Sequence, residues 1–270
     1  MSDWILLLPP SEGKATPDQD EVPFSKAFNN KRTNYFKTLN PSRETLLNCL
    51  EEVLERRGGW EEIFEVKGKA LEEAMRSNRF IKESPTLRAR DLYNGVMYQA
   101  IQYDKLKRDQ KKLFDKQTII FSGLFGIVKP TDRIPPYKLK AGANLGGVVG
   151  KVTNFWRNPV SEALKSELRN KVVWNLLPDQ HQKMWDNKGE FKAMHTVKFV
   201  KKVVRSGIAE WKTISHHSKS LKGALIQFLL EKDACTPKEL QQFTHPDGYQ
   251  YMPSLSVNSK RASQLVFGAE

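Results

Sequence analysis

One stretch of the chain, residues 118–139, places several binding or reactive groups close together. Ser122 and Gly123 follow a short apolar run, and a proline-rich segment then leads to Tyr137 and Lys138. The backbone N–H groups of a glycine turn can bind a phosphate, while a hydroxyl, a phenol and an amine can bind or activate a substrate. The alternative is a strand, a glycine turn and a loop with a purely structural role.

Two glycines in this stretch predict how the chain turns after the apolar run. Gly123 and Gly126 lie three residues apart, directly after the predicted strand at 119–121. Glycine is needed either where the backbone adopts a positive φ or where another chain segment approaches closely. We expect each of the two glycines to meet one of these conditions.

Polar residues also lie after another predicted strand and in a predicted turn. Lys14 comes shortly after the apolar run at 4–8, within the sequence PPSEGK, and Tyr93 lies in a turn at 91–95. Residues beyond the carboxyl ends of parallel strands often form the binding sites of α/β proteins. The first glycine of a P-loop is missing before Gly13, so a Walker A site is excluded.

A third group of polar residues opens a helix that is predicted to continue to Leu230. Lys219 and Lys222 lie at its N-terminal end, next to Gly223. Positive charge at this end opposes the helix dipole, so we expect these lysines to bind an external anion together with the free backbone N–H groups. For Lys222, a plain surface lysine and a covalent lysine nucleophile are the alternatives.

The surrounding pattern predicts a mixed α/β (α+β) fold. Helical periodicity covers residues 60–75, among other segments, and strand candidates lie on both sides of the glycine-rich stretch 141–150. The chain is therefore expected to form a single domain over residues 1–270. The strand candidates are 4–8, 119–121, 171–177, a basic edge strand at 196–204, 211–215 and 265–267.

The net charge of +13 and the pI of about 9.6 favour an anionic partner, although charge for solubility alone is the alternative. The segment 105–116 is strongly basic and is interpreted as a helix with a lysine-rich outer face, which either contacts the partner or is only solvated. Two cysteines, Cys49 and Cys235, are too few for a disulfide framework and fit a reduced, cytoplasmic setting. No membrane span, signal peptide or membrane partner is expected.

Several reaction classes are excluded by missing motifs. No Cys/His spacing fits a zinc site, and the adjacent His216 and His217 would point to opposite faces of a strand. The GxSxG and GxGxxG motifs are absent. No metal or cofactor is therefore expected, and lysine-based covalent chemistry stays open.

The motifs together resemble the YaaA family, proteins connected with peroxide stress. The resemblance covers nearly the whole chain and is most specific in FSGLFGIVKPTDRIPPYKL at 121–139. It is also carried by ILLLPPSEGK at 5–14, DLYNG at 91–95, NFW at 154–156, WNLL at 174–177, SKSLKG at 218–223 and DGY at 247–249. The resemblance implies a compact α/β domain of unusual topology, a basic cleft, a helix-hairpin-helix-like element and DNA binding.

Carried over residue by residue, the resemblance implies ten cleft positions that bind nucleic acid or another anion. Lys138 and Lys222 stand where arginine is also found in the family, and Pro178 and His181 replace a serine and a tyrosine. The loss of arginine removes bidentate phosphate geometry. The ten positions are Lys14, Tyr93, Ser122, Gly123, Tyr137, Lys138, Asn175, Lys219, Lys222 and Gly223.

Two functional hypotheses follow. The first is a monomeric, cytoplasmic DNA-binding protein of the peroxide stress response, which contacts phosphates largely without sequence preference. The second is an enzyme that acts on a nucleotide or nucleobase-like small molecule in the same basic cleft. An open groove lined by lysines would favour the first, and a closed pocket large enough for a base would favour the second.

Overall fold

A mostly parallel sheet of eight strands supports the fold in the computed structural model, which describes residues 3–56, 58–205, 208–213, 217–233, 236–259 and 261–270. The strands are β1 Trp4–Leu8, β2 Leu87–Arg88, β3 Thr118–Ser122, β4 Gly126–Val128, β5 Arg133–Ile134, β6 Val172–Asn175, β7 Ala193–Arg205, β8 Ile208–Thr213, β9 Gln250–Tyr251 and β10 Ala262–Ala269. β2 and β5 form a separate two-stranded sheet.

Helices surround the sheet, so the predicted mixed α/β fold is confirmed. They are α1 Phe24–Asn29, α2 Asn40–Glu55, α3 Trp60–Phe64, α4 Lys69–Arg79, α5 Ala89–Leu92, α6 Val96–Ile101, α7 Arg108–Gln117, α8 Val152–Leu168, α9 Asp179–Gln182, α10 His217–Lys232 and α11 Pro237–Leu240. Short 3-10 helices cover Lys37–Leu39, Tyr103–Lys105 and Pro253–Leu255.

The centre of the large sheet is β1, which pairs in parallel with β3 on one side and β6 on the other. Its five residues, WILLL, are all 0% exposed. Because successive side chains of a strand point to opposite faces, both faces of the sheet must be covered here. This explains why the sequence shows an unbroken apolar run in place of an alternating pattern.

The order of the strands is β4-β3-β1-β6-β7-β10-β9, with β8 paired to β7. The pairs from β3 to β10 along this path are parallel, and β4, β8 and β9 are added antiparallel. Parallel strands present their carboxyl ends at one edge of a sheet. The segments that follow β1, β3 and β6 therefore begin at the same edge, as the sequence argument for a site requires.

The prediction of an edge strand at 196–204 is correct only for part of the segment. These residues belong to β7, which pairs with β6 over residues 193–196, with β10 over 194–201 and with β8 over 200–205. Lys198, Lys201 and Lys202 are exposed. Lys201 has strand partners on both sides, whereas Lys198 pairs only with β10 and Lys202 pairs only with β8. β6 and β8 each pair with only part of β7, so stretches of this strand keep one side without a strand partner, and lysines are typical of such sides.

Two further segments differ from the sequence expectations in detail. Residues 60–75 form α3 and the beginning of α4, because Glu65 adopts a left-handed conformation with φ 52° and interrupts the helix. Of the predicted strand at 211–215, residues 211–213 lie in β8, and residues 214–215 lie outside the described part of the chain.

Gly223 sets the closest approach between α10 and α6. A Cβ atom built on Gly223 would lie 2.5 Å from the Ala100 Cβ atom and 2.6 Å from the Met97 carbonyl oxygen. Distances of this size are far below van der Waals contact, so any side chain at this position pushes the two helices apart. The requirement for glycine here is explained by helix packing.

We expect Gly223→Val to lower the free energy of unfolding by about 2 kcal/mol or more, since overpacking of a tight contact typically costs about 1–3 kcal/mol. Urea unfolding followed by circular dichroism measures the change. The control is Gly189→Val, because a Cβ atom at Gly189 meets only the Phe191 ring at 3.9 Å. Equal unfolding midpoints for the two variants would contradict the packing assigned to Gly223.

Candidate functional site

Three buried hydroxyl groups form a hydrogen-bonded chain where β3 ends. The Tyr137 hydroxyl lies 2.7 Å from Ser122 Oγ and 2.9 Å from the Tyr93 hydroxyl. Ser122 Oγ also accepts a hydrogen bond of 3.0 Å from the Phe125 N–H. The chain of hydroxyls thus joins the end of β3, the residue that follows α5 and the proline-rich segment, which are far apart in sequence.

Burial keeps the two phenols of this chain neutral. It raises the pKa of Tyr137 to about 12 and raises the pKa of Tyr93 well above its ordinary value, the latter with a contribution from neighbouring tyrosines. At physiological pH both groups are therefore hydrogen-bonding phenols and not phenolates. Their hydroxyls hold the two side chains in place by hydrogen bonds, and their rings form a rigid surface for the groups that lie against them.

The Lys14 ammonium lies against this support. Its Nζ atom is 4.4 Å from the centre of the Tyr137 ring and 5.8 Å from that of the Tyr93 ring, within the range of a cation–π interaction. Nζ also donates a hydrogen bond of 3.1 Å to the Ser11 carbonyl oxygen. A backbone bridge between Lys14 and Tyr93 holds the loop after β1 in place.

The pKa of Lys14 is lowered to about 8. The largest cause is burial of the ammonium, the positive charge of Lys138 adds to it, and the carboxylate of Glu12 acts in the opposite direction. A charged amine in a site of low polarity and beside a second cation is destabilised relative to the neutral amine. Lys14 therefore titrates far closer to neutral pH than an ordinary lysine does.

A small pocket of about 110 Å³ opens beside Lys14 at the carboxyl edge of the sheet. Its lining residues come from the loop after β1, the segment before α8 and the segment after β6. They are Pro10, Ser11, Glu12, Lys14, Tyr137, Lys138, Leu139, Lys140, Ala141, Gln180 and His181. Three lysines and one carboxylate thus surround a space that the sequence argument placed at this edge.

The Glu12 carboxylate bridges two of the lysines. One carboxylate oxygen lies 3.6 Å from Lys138 Nζ and the other lies 3.6 Å from Lys140 Nζ, while Lys140 Nζ is also 2.8 Å from the Glu65 carboxylate. Partial burial acts to raise the pKa of Glu12, but the two lysines overcome this and lower it. The mouth of the pocket therefore already holds one anionic group between two ammonium groups.

The position of Lys138 is fixed by a residue that the sequence argument missed. The buried Asn78 side chain donates a 2.7 Å hydrogen bond to the Lys138 carbonyl oxygen and accepts one of 3.0 Å from its N–H. Nothing in the spacing of residues marks Asn78, which lies in the amphipathic helix α4. Glu12, Lys140 and Gln180 were missed too, although Glu12 lies within the motif at 5–14 and Lys140 lies directly after the motif at 121–139.

His181 also lines the pocket. Burial lowers its pKa to about 4, so the imidazole is neutral at physiological pH. In the described part of the chain its Nδ1 atom is buried without a hydrogen-bond partner. His181 therefore adds no positive charge to the three lysines.

Both glycines of the central turn are explained. Gly126 has a φ of 71° and packs against the Trp156 ring. Gly123 is required by close approach, because a Cβ atom there would collide with the Leu139 carbonyl oxygen, and its own carbonyl accepts a 2.8 Å hydrogen bond from Trp156 Nε1. Gly123 thus brings the segment that carries Lys138 and Lys140 against the end of β3.

The structure brings together Lys14, Tyr93, Ser122, Tyr137 and Lys138, five of the ten positions implied by the resemblance. Gly123 allows the segment that carries Lys138 to pack against the end of β3, as described above. The remaining four positions do not line the pocket, and binding by them stays a prediction.

Asn175 and Lys222 make internal contacts near the end of β6. Asn175 is buried, and its side-chain oxygen accepts a hydrogen bond of 3.0 Å from the Leu177 N–H. Lys222 Nζ donates a hydrogen bond of 3.0 Å to the Leu176 carbonyl oxygen, and burial lowers its pKa. Lys219 is exposed on α10.

Among the described residues, no three His, Cys, Asp or Glu side chains are grouped so that they could hold a metal ion. His216 and Cys235, both considered in the sequence argument, lie outside the described residues. Within the same described ranges, no helix is both long enough and apolar enough to cross a membrane.

Comparison with known proteins gives a family match over most of the chain. The model of a family described as peroxide stress protein YaaA matches residues 4–255. An uncharacterised protein of Campylobacter jejuni is 30% identical over 213 residues, which cover 78% of this chain and 80% of that protein. A UPF0246 protein of Streptomyces coelicolor is 30% identical over 251 residues, which cover 91% of each chain.

The hydroxyl chain predicts an energetic coupling between Ser122 and Tyr137. We expect Ser122→Ala and Tyr137→Phe each to lower the free energy of unfolding by about 1–3 kcal/mol, because each leaves a buried polar partner unsatisfied. The double variant should lose less than the sum of the two, since the shared hydrogen bond is removed only once. Urea unfolding of the four proteins measures this.

The control for this cycle is Tyr35→Phe, because Tyr35 is 56% exposed and its hydroxyl binds the Glu167 carboxylate at the surface. It should change the unfolding free energy by no more than about 0.5 kcal/mol. Strictly additive losses for Ser122→Ala and Tyr137→Phe would show that the two hydroxyls do not depend on one another.

Proposed function

This chain belongs to the family of the peroxide stress protein YaaA, and from that premise we propose that it is a cytoplasmic DNA-binding protein of the peroxide stress response. The observation that carries the DNA-binding part is the grouping of Lys14, Lys138 and Lys140 around one small pocket whose mouth holds the Glu12 carboxylate. Phosphate contacts of this kind provide affinity without reading the base sequence.

The geometry at the pocket mouth suits a phosphate group. Lys138 and Lys140 already direct their ammonium groups to the two oxygens of one carboxylate. A DNA phosphate carries a similar pair of charged oxygens, so it can take the place of Glu12, whose side chain is 72% exposed and free to turn into solvent. In this proposal the Glu12 carboxylate competes with a DNA phosphate for Lys138 and Lys140, and the two lysines bind the phosphate.

A second basic surface supports binding to a long polyanion. Lys105, Lys107, Lys112 and Lys116 are exposed on or beside α7, while Leu106 and Phe114 are buried on the inner side of this segment. Lys111 contributes less, because its Nζ atom donates to the Asp104 carbonyl oxygen at 2.8 Å and lies over the Tyr103 ring. Together with the net charge of +13, these lysines favour an extended anionic partner.

The size of the pocket favours DNA over an enclosed small molecule. The pocket measures about 110 Å³, whereas sites that enclose a small-molecule ligand usually measure about 300–1,000 Å³. A phosphate or the edge of a sugar fits such a space better than a nucleotide does. The alternative of an enzyme on a nucleotide-like molecule is supported by one observation, the partly buried Lys14 with its lowered pKa of about 8.

We expect Glu12→Gln and Lys138→Gln to change DNA affinity in opposite directions. Glu12→Gln removes the competing carboxylate and should lower the Kd for a short labelled DNA duplex. Lys138→Gln should raise the Kd by about tenfold, the value of one charge-assisted contact. It should also make the slope of log affinity against log salt shallower by about 0.9. Fluorescence anisotropy at several salt concentrations measures both effects.

The matched controls are Glu44→Gln and Lys26→Gln, which make the same charge changes at exposed positions away from the pocket. They separate a contact at the pocket from the effect of net charge. The proposal fails if the duplex does not bind, or if the two pocket variants change the Kd no more than their controls do.

A further inference from the structure

Lys14 differs from the other two lysines of the pocket in what surrounds its amine. Lys138 and Lys140 form ion pairs with Glu12, and Lys140 forms a second one with Glu65. The ion pairs of the described residues do not include Lys14, whose Nζ atom donates to the Ser11 carbonyl oxygen at 3.1 Å and to the Glu12 carbonyl oxygen at 3.5 Å and lies over the face of the Tyr137 ring. Its amine is thus held against an aromatic wall and faces a pocket.

Two features of this environment favour a neutral amine. A lysine becomes a nucleophile when it is desolvated or when a second cation lies nearby, and Lys14 meets both conditions, the cation being Lys138. With a pKa of about 8, roughly a tenth of the Lys14 amines are neutral at pH 7, compared with well under a thousandth for an unperturbed lysine. The phenols beneath it remain neutral, so no phenolate charge stabilises the ammonium form.

The contacts of Lys14 also fix the direction of its amine. The hydrogen bond to the Ser11 carbonyl oxygen and the bridge between the backbones of Lys14 and Tyr93 hold the side chain at the pocket wall. Lys14, Lys138 and Lys140 line the same small pocket, so a group that binds its phosphate between Lys138 and Lys140 has its adjoining sugar in the space that the Lys14 amine faces. A preset arrangement of nucleophile and anchor of this kind lowers the barrier to reaction.

We propose that Lys14 Nζ forms a Schiff base with an aldehyde carbon presented in this pocket, the aldehyde being the open-chain sugar of an abasic position in DNA. This inference rests on the proposed DNA-binding function. The pocket suits such a substrate because an abasic position carries a phosphate and a sugar aldehyde but no base, and so it needs little space.

The reaction balances without a cofactor. The lone pair of neutral Lys14 Nζ forms a bond to the aldehyde carbon, and the π electrons of the C=O bond move to its oxygen. One proton passes from nitrogen to that oxygen, which gives a carbinolamine. The C–O bond then breaks, oxygen leaves as water with a further proton from nitrogen or solvent, and the imine forms. No oxidant or reductant is consumed.

The other lysines near this edge are less suited to the reaction. The Glu65 hydrogen bond is the largest cause that raises the pKa of Lys140, so its amine stays charged. The pKa of Lys222 is lowered by burial, but its amine donates to the Leu176 carbonyl oxygen and it does not line the pocket. Lys14 alone among these three lysines combines a lowered pKa with a place in the pocket wall.

The test is reductive trapping. The whole protein is incubated with a labelled duplex that contains one abasic position, or with free 2-deoxyribose 5-phosphate, in the presence of cyanoborohydride. Adducts are quantified on denaturing gels and by intact mass, and the modified lysine is mapped by peptide mass spectrometry. Lys14→Arg keeps the charge but cannot form the imine under these conditions, and Lys26→Arg is the matched control at an exposed site.

We expect an adduct on Lys14 with the abasic duplex, at least tenfold less of it with Lys14→Arg, and no change with Lys26→Arg. The initial rate should rise between pH 6.5 and 8 as the amine loses its proton. If Lys14→Arg does not fold, peptide mapping of the parent protein decides. Absence of adduct with both aldehydes, or an adduct on another lysine, overturns the proposal.

The outcomes of this experiment distinguish a failure of the Schiff-base proposal from a failure of the proposed DNA-binding function. Binding to intact duplex without any trapped adduct supports DNA binding and overturns the Schiff-base step. An adduct on Lys14 with the free aldehyde, but no binding of either duplex, overturns DNA binding and identifies small aldehydes as the source of the carbonyl.

Discussion

The contact between the Lys14 ammonium and the Tyr137 ring is the interaction on which the site depends. The Tyr137 hydroxyl is held by Ser122 and Tyr93, and its ring meets Phe125 edge-on at 5.3 Å between centroids. Because these partners come from separate parts of the chain, the ring cannot move without disturbing the end of β3. The amine above it is therefore fixed, partly buried and less basic than an exposed lysine.

The parallel sheet makes this contact possible. β1 and β3 end at the same edge, which brings the loop that carries Lys14 beside Ser122. Gly123 then allows the segment with Lys138 and Lys140 to pack against the end of β3, and Asn78 fixes the Lys138 backbone. A few backbone contacts thus connect the fold to the site. They determine where the charged groups of Lys138 and Lys140 lie around the pocket.

Sequence reasoning located the part of the site that glycine, proline and strand ends mark. Lys14, Ser122 and Tyr137 were predicted because apolar runs end just before them or a proline-rich segment delivers them. Side-chain direction has no such marker, so Asn78 was missed and Lys222 was expected to face an anion when its amine meets the Leu176 carbonyl oxygen. The same limit applies to β7, because its lysines do not show that β6 and β8 each pair with only part of the strand.

The most direct test of this account is the pKa of the Lys14 amine, measured by NMR titration of protein with isotope-labelled lysine side chains and assigned with Lys14→Arg. The account predicts a midpoint of about 8 in the wild-type protein. It also predicts a rise when Lys138→Gln removes the neighbouring charge that lowers it. A midpoint near the ordinary value of 10.5, unchanged by Lys138→Gln, would show that Lys14 is a solvated surface lysine and would contradict the account.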